Sequence, residues 1–187
     1  MQDNNIKTVV ISDSQTGRSV HTTALSNFEL AGWENFQDGL YTPSDKLTLA
    51  QNVPTKLTFN EPLLFTNFTR QPQIGVTKYP IWDMNDQMIR SYPQNNNGGC
   101  SARIQFVAEP ASSATGVSIE VSLTIPTFLT IYRESKPLVK GTAHQRISDI
   151  LEFFFDQNST DNGIEVYLTA LGDDIDIYNA NIYLKNW

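Results

Sequence analysis

The sequence contains little of several features that would point to particular classes of protein. Cys100 is the single cysteine among 187 residues, which excludes a disulfide within the chain. Charged residues make up 18% of the sequence, below the usual value of about 25%, and the net charge is −7. The 13 Lys and Arg residues are scattered singly, so no basic cluster is present to neutralise phosphates, and we expect no nucleic-acid binding.

Long apolar runs are missing as well. No stretch approaches the ~20 apolar residues that a transmembrane helix needs, so we expect no membrane insertion. The opening residues from Met1 to Asn5 are mostly polar and lack the apolar core of a secretory signal peptide. Export through such a signal is therefore not expected.

Motifs for catalysis are also missing from the sequence. There is no Gly-x-Ser-x-Gly elbow, no glycine-rich phosphate loop, no His-Glu-x-x-His and no paired Cys-x-x-Cys. His21 and His144 are the only histidines, and nothing ties either to Cys100, which we interpret as a small buried residue at the start of a strand. We expect no catalytic residues, no cofactor and no bound metal, and we do not expect an enzyme.

Two short acidic clusters leave a second interpretation open. Asp173, Asp174 and Asp176 lie around one predicted turn, and residues 83–86 (Asp-Met-Asn-Asp) form another. Carboxylate and carbonyl oxygens are the ligands that Ca²⁺ prefers, but neither spacing matches an EF-hand loop. Solvated turns are the favoured interpretation, and Ca²⁺ binding is the alternative.

A strict alternation of apolar and polar residues is the clearest feature that is present. From Val117 to Ile125 every odd position is apolar and every even position is polar or charged. Successive side chains of a strand point to opposite faces, so this segment predicts a strand with one face in a core. The pattern recurs from Trp33 onward and predicts about eight to ten strands in an all-β, antiparallel sandwich or barrel. The predicted strands include 47–49, 56–59, 81–84, 103–108, 117–125, 128–132, 147–155, 164–170 and 175–184.

The connections between these strands can also be predicted. Residues 60–80 contain three prolines and Gly75, which favours a long loop. Asn162-Gly163 is a hairpin signal between two predicted strands. The apolar positions change parity between Ile177 and Ile182, which indicates a β-bulge near Asn179.

Residues 1–30 are predicted to form an N-terminal arm, partly extended, ahead of one domain over residues 31–187. The run Thr8–Ser12 is strand-like, and the residues that follow it are polar. A flexible leader and a tether to a larger assembly are both compatible with this pattern. In the second interpretation the assembly anchor consists of Val9, Val10 and Ile11.

The predicted strand at 147–155 has two apolar faces. Leu151, Phe153 and Phe155 fall on one side, and Ile150 and Phe154 fall on the other, with Glu152 between them. Only one face of a strand in a two-sheet sandwich reaches the core, so the other face needs a different cover. We predict an interface between copies of the chain at Ile150, Glu152 and Phe154. The alternative is that the arm or the 60–80 loop covers them.

Several segments resemble bacteriophage virion proteins that carry a jelly-roll domain similar to tumour necrosis factor (TNF) and complement C1q heads. The resembling segments are Gly32–Thr42 (Gly-Trp-Glu-Asn-Phe-Gln-Asp-Gly-Leu-Tyr-Thr), Lys46–Ala50, Thr55–Thr58, Ile81–Asp83 and Ile177–Leu184. The resemblance covers roughly residues 32–187 and leaves the arm outside. It implies an antiparallel jelly-roll β-sandwich, a homotrimer, and a structural or host-contact role in a virion.

Two functions follow as expectations. The first is a structural virion protein, a trimeric capsid decoration or head-fibre protein anchored through its arm, with the major capsid protein or another virion protein as partner. The alternative is a fibre-head module that binds a receptor or glycan on the host surface. Tyr79, Tyr92 and Trp187 are the candidates for such surface contact, although ordinary packing also accounts for them; Trp33 and Trp82 are expected in the core.

Overall fold

Seventeen strands and one short helix make up the secondary structure of this computed structural model. It describes residues 7–12, 19–24, 28–29, 32–62, 73–74, 77–91, 98–111, 116–126, 129–139 and 144–186. The elements are β1 (Lys7–Ser12), β2 (Ser19–Ala24), β3 (Phe28–Glu29), β4 (Gly32–Gln37), β5 (Leu47–Leu49), β6 (Thr55–Lys56), β7 (Glu61–Pro62), β8 (Gln73–Ile74), β9 (Thr77–Lys78), β10 (Trp82–Asp83), β11 (Met88–Ile89), β12 (Gly99–Pro110), β13 (Ser118–Ile125), β14 (Leu129–Pro137), β15 (Gln145–Phe154), α1 (Gln157–Asn162), β16 (Glu165–Leu171) and β17 (Ile175–Asn186).

Two antiparallel sheets form the body of the protein. The six-stranded sheet has the order β15-β12-β17-β4-β7, with β5 also paired to β17. The four-stranded sheet has the order β14-β13-β16-β6. The chain passes between the two sheets repeatedly, since β12, β15 and β17 lie in one and β13, β14 and β16 in the other. The protein is therefore an all-β jelly-roll sandwich, as the sequence predicted.

One apolar layer lies between the two sheets. In β13, Ile119, Val121, Leu123 and Ile125 are fully buried, whereas Glu120 and Thr124 on the other face are only partly buried. Burial of such a side chain stabilises the folded state by about 1.5–3 kcal/mol. The same alternation supplies the rest of this core: Ala102, Ile104, Phe106, Leu151, Phe155, Val166, Leu168, Ile175, Ile177, Ile182 and Leu184.

The predicted β-bulge is present in β17. The register between β12 and β17 shifts between Gln105 and Val107, and Asn179 has a φ of 52°. Asn tolerates this left-handed region better than most residues. Because of the extra residue, Tyr178 and Ala180 are both buried while Asn179 is exposed. The one extra residue in β17 thus explains why the apolar positions of the sequence change from odd to even numbers.

The turn predicted at Asn162-Gly163 is instead the end of α1, so the hairpin prediction was wrong. The Oδ1 of Asp156 accepts a hydrogen bond from the Ser159 amide at 2.7 Å, and the Oγ of Ser159 accepts one from the Asp156 amide at 2.8 Å. This reciprocal cap starts a helix of one and a half turns. Gly163 ends it with a φ of 78°, and a Cβ there would lie 2.5 Å from the Met88 sulfur. No helix in the described ranges is long and apolar enough to span a bilayer.

The region predicted as a long loop, residues 60–80, contains three short strands. β7 pairs with β4, and β8 pairs with both β3 and β9. Residues 63–72 and 75–76 lie outside the described residues. The pairing of β3 with β8 links the end of the predicted arm to this region through backbone hydrogen bonds.

Candidate interaction surfaces

The two faces of β15 differ in exposure as the alternation requires. Leu151 and Phe155 are fully buried, and Phe153 is 8% exposed. Ile150 and Phe154 point the other way and are 58% and 70% exposed, and Glu152 between them is also exposed. The structure thus places two large apolar side chains on the outside of the six-stranded sheet. The interface between copies at these residues stays a prediction.

Neighbouring strands extend this outer surface, which we call the β15 face. Ile150 lies opposite Arg103 of β12, and Arg103 lies opposite Tyr183 of β17, which is 36% exposed. Phe154 lies opposite Gly99, so no side chain flanks its ring on the β12 side. The β15 face therefore presents two large apolar side chains at one edge of the sheet, with Glu152 between them and with a cation and an aromatic ring beside them.

A polar network joins the two sheets where β14 and β15 form their edges. Lys136 Nζ lies 3.0 Å from Oδ1 of Asp149, whose side chain is 4% exposed, and it also pairs with Glu134. The hydrogen bond that Tyr132 donates to Glu134 raises the pKa of Tyr132 to about 12. The carboxylates of Glu134 and Asp149 raise the pKa of Lys136. Charged groups thus occupy the gap between the sheets at this end of the core.

The proposed anchor residues lie in the β1–β2 hairpin. The backbone of Val9 pairs with Thr22, that of Val10 with His21, and that of Ile11 with Val20. This pairing gives the segment an extended backbone. The division into an arm over residues 1–30 and a domain over residues 31–187 stays a prediction.

Cys100 has the environment expected of a structural residue. It is fully buried in the core, and burial raises the pKa of its thiol. A nucleophilic cysteine needs a lowered pKa and access to substrate, and Cys100 has neither. His144 is exposed and directly precedes β15.

The carboxylates of the acidic turns accept hydrogen bonds from backbone amides and from one hydroxyl group of the protein. Asp83 Oδ1 accepts from the amides of Asn85 and Asp86, at 2.9 and 3.2 Å. Asp174 accepts from the Gln51 amide at 2.7 Å, and Asp176 from the Thr48 hydroxyl at 2.6 Å. Among the residues that the structure describes, no group of three or more potential ligands is arranged to hold a metal ion.

The aromatic residues considered at the sequence level fall into different environments. Tyr79 is half-buried, and Tyr92 and Trp187 lie outside the described residues. Trp82 is in the core, where its ring packs edge-on against Phe59 at 5.2 Å. The expectation that Trp33 is also in the core was wrong, because β4 directs it outward with Lys185 and leaves it half-buried.

A groove on the outer face of the four-stranded sheet was not found from the sequence. It has a volume of about 430 Å³, and its lining includes Glu120, Ser122, Arg133, Glu165 and Tyr167. These residues occupy the polar positions of alternating strands, which in sequence look like an ordinary solvated face. The one indication of the groove in the sequence is Tyr167, an aromatic residue at a position where the alternation predicts a polar one.

The comparisons with known proteins agree with the fold. No known protein-family profile matches the chain, and no curated protein matches it in sequence. Eiger TNF from S. frugiperda is 11% identical with a TM-score of 0.51, and the match covers 84% of this chain and 92% of that one. At this identity the similarity concerns the fold alone, which is a TNF-like jelly roll.

Two viral proteins are similar at lower TM-scores. PRD1 vertex protein P5 is 14% identical with a TM-score of 0.41, over 95% of this chain and 82% of that one. VP2 of infectious bursal disease virus is 8% identical with a TM-score of 0.42, and this chain spans 37% of its length. These scores are too low to establish a common fold.

Proposed function

We propose that this chain is a structural virion protein of a bacteriophage. In this proposal three copies assemble into a jelly-roll trimer that decorates a capsid or forms a head fibre, anchored through residues 1–30. The observation that carries the proposal is the β15 face, where Ile150 and Phe154 are 58% and 70% exposed. Such exposed apolar side chains are typical of a surface that meets another protein.

The energetic argument favours contact between copies of the chain. Covering one large apolar side chain contributes about 1.5–3 kcal/mol, and each copy offers two such side chains on β15. Arg103 and Tyr183 lie beside these side chains, and Arg and Tyr are enriched at protein interfaces. The number of copies comes from the resemblance of residues 32–187 to phage virion proteins, which implies a homotrimer.

We further propose that the role is non-catalytic and that the protein is located in the virion. The burial of Cys100 and the use of the acidic turns for backbone hydrogen bonds support a structural role. The pairing of β1 with β2 supports a tether, because it gives Val9, Val10 and Ile11 a regular strand backbone for contact with a capsid partner.

The solution mass tests the assembly. We expect light scattering to give three times the mass of one chain for the parent protein, and the mass of one chain for Phe154→Asp. Val53→Asp is the matched control, since Val53 is 51% exposed and lies just before β6, at the edge of the four-stranded sheet opposite β14. A single-chain mass for the parent, or an unchanged mass for Phe154→Asp, would overturn the oligomer.

Co-purification tests the location. We expect the protein to sediment with virions of the phage that encodes it and to be lost from them when residues 1–30 are deleted. Retention of the truncated protein would contradict the anchor, and absence of the full chain from purified virions would contradict the virion role.

A further inference from the structure

The groove on the outer face of the four-stranded sheet has features of a ligand site. Its volume of about 430 Å³ falls within the range of about 300–1,000 Å³ that small-molecule sites occupy. Ser122 and Thr169 are each only 6% exposed although they face outward, because the side chains on neighbouring strands rise above them. They form the floor, and Pro54 and Pro126 contribute apolar lining at its margins.

Strand pairing fixes the arrangement of the groove. Ser122 of β13 lies opposite Arg133 of β14 on one side and opposite Tyr167 of β16 on the other. On β13, Glu120 lies on one side of Ser122 and Thr124 on the other. These two ends of the lining are four residues apart, so the groove extends about 13 Å along the strand. Because regular strands hold every lining backbone position, these side chains are held in fixed positions relative to one another.

The Tyr167 side chain lies along its strand. Its hydroxyl donates to Oε2 of Glu165 at 2.9 Å, and Glu165 is two residues away on the same face. Because this hydrogen bond ties the ring to Glu165 and both residues line the groove, the ring is available there for contact with a ligand. Burial and the hydrogen bond to Glu165 both raise the pKa of Tyr167, so the ring stays neutral at physiological pH.

The charges of the groove are balanced. Arg133 Nε lies 3.3 Å from Oε1 of Glu120, and Lys56 Nζ lies 2.6 Å from Oε1 of Glu165. Each cation at the groove is thus paired with a carboxylate, which leaves no excess positive charge for an anionic ligand. Carboxylate oxygens accept hydrogen bonds from hydroxyl groups, and a guanidinium donates them in a fixed fork.

We infer that this groove binds a short neutral saccharide, with a sugar ring against Tyr167 and its hydroxyls bonded to Glu120, Arg133 and the floor residue Ser122. A pyranose matches the groove because it offers an apolar C–H face to an aromatic ring and hydroxyls around its rim. An extended peptide matches less well, since peptides pair with sheet edges and this site is on a face.

This inference goes beyond the structural role proposed above. The groove lies on the four-stranded sheet and the β15 face on the six-stranded sheet, so the two surfaces are on opposite sides of the sandwich. An assembly built through the β15 face leaves the groove open. Failure of one proposal therefore leaves the other standing.

A glycan array carrying neutral and sialylated oligosaccharides, probed with the full chain, tests the site. We expect binding to neutral glycans, followed by saturable titration of the best binder in solution. Tyr167→Ala should raise Kd by about tenfold or more. Tyr167→Phe, which keeps the ring, should have a Kd within about threefold of that of the parent. Tyr41→Ala, in the turn after β4 and outside both the groove and the β15 face, is the matched control and should leave Kd unchanged.

Other results would overturn the inference. Binding to sialylated glycans alone, no saturable binding to any neutral glycan, or equal weakening by Tyr41→Ala would each do so. Thr130→Trp provides a second variant in case Tyr167→Ala does not fold, because it fills the groove while leaving Tyr167 in place. It should abolish binding with unchanged circular dichroism, and retained binding would contradict the location.

Discussion

The Glu34 carboxylate holds the backbone of Trp82 inside the sandwich. Oε2 of Glu34, a fully buried residue of β4, accepts hydrogen bonds from the amides of Trp82 and Ile81, both at 2.8 Å. The indole of Trp82 donates in turn to the Phe59 carbonyl at 3.1 Å. One side chain thus satisfies two backbone donors and fixes the segment that places the largest residue of the core.

Replacing Glu34 should destabilise the protein strongly. Glu34→Leu leaves two buried amides without an acceptor, and we expect the free energy of unfolding to fall by about 2–5 kcal/mol in urea titration. Glu34→Gln keeps a carbonyl acceptor and should cost less. Glu152→Gln, at an exposed position of β15, is the control and should change stability by at most about 0.5 kcal/mol. Equal losses for the Leu and Gln variants would contradict this role of the carboxylate.

Removing the cation that joins the sheet edges should also be costly. Lys136→Met leaves the buried Asp149 carboxylate without its ion pair, so we expect a loss of about 1–3 kcal/mol in unfolding free energy. Lys185→Met, at an exposed position of β17, is the control.

The same ion pair predicts how stability depends on alkaline pH. The hydrogen bonds of Lys136 to Glu134 and Asp149 raise its folded-state pKa above the usual value of 10.5. Its contribution is therefore fully present below 10.5 and is lost as pH rises through the higher folded-state value. Thermal melts of the parent and Lys136→Met should converge as pH rises above 10.5. A difference that persists unchanged across this range would contradict the ion pair.

The cap of α1 should show the opposite pH dependence. Hydrogen bonds from the Ser159 hydroxyl and amide lower the pKa of Asp156 below 3.8. Its charged form therefore contributes stability above that value, and the contribution is lost as pH falls through the folded-state pKa. We expect Asp156→Ala to cost about 1 kcal/mol at neutral pH and less in acid, and Asp156→Asn, also a good cap, to cost less. Equal costs for Ala and Asn would argue against the cap.

The single thiol should be inert while the chain is folded. Because Cys100 is fully buried and its pKa is raised, modification by Ellman's reagent must wait for the structure to open. We expect the native protein to react at least about a hundredfold more slowly than the urea-unfolded chain. Ser44→Cys, in the exposed turn between β4 and β5, supplies a positive control that reacts without unfolding. Rapid labelling of native Cys100 would contradict its place in the core.

Local patterns in the sequence predicted the long strands and the all-β class, whereas the jelly-roll topology followed from the family resemblance and the short strands β7, β8 and β9 were missed. The alternation at Val117–Ile125 matches β13, and the change of parity after Ile177 matches the bulge at Asn179. These signals lie within single strands, where the side-chain period is fixed by backbone geometry. The outward direction of Ile150 and Phe154 follows from the same period.

Features that depend on distant residues were not predictable in this way. The groove brings Glu120 and Tyr167 together because β13 pairs with β16, and no local signal specifies that pairing. The sequence predicts a turn in place of the short helix because Asn162-Gly163 is a common hairpin signal. The competing signal for the start of a helix, at Asp156 and Ser159, involves only one capping pair. Trp33 faces outward because β4 buries Gly32 and Glu34 instead, which composition alone does not indicate.

The chemistry of β14 has a consequence for the protein at high concentration. This strand ends its sheet and carries Arg133, Glu134 and Lys136 before Pro137, whose missing amide interrupts further backbone pairing. If a second copy paired with β14 as in an amyloid fibril, side chains of like charge would lie next to each other. Pro137 would also offer no amide hydrogen to the added strand. We therefore expect this border to resist fibre growth when copies of the chain are crowded together during synthesis.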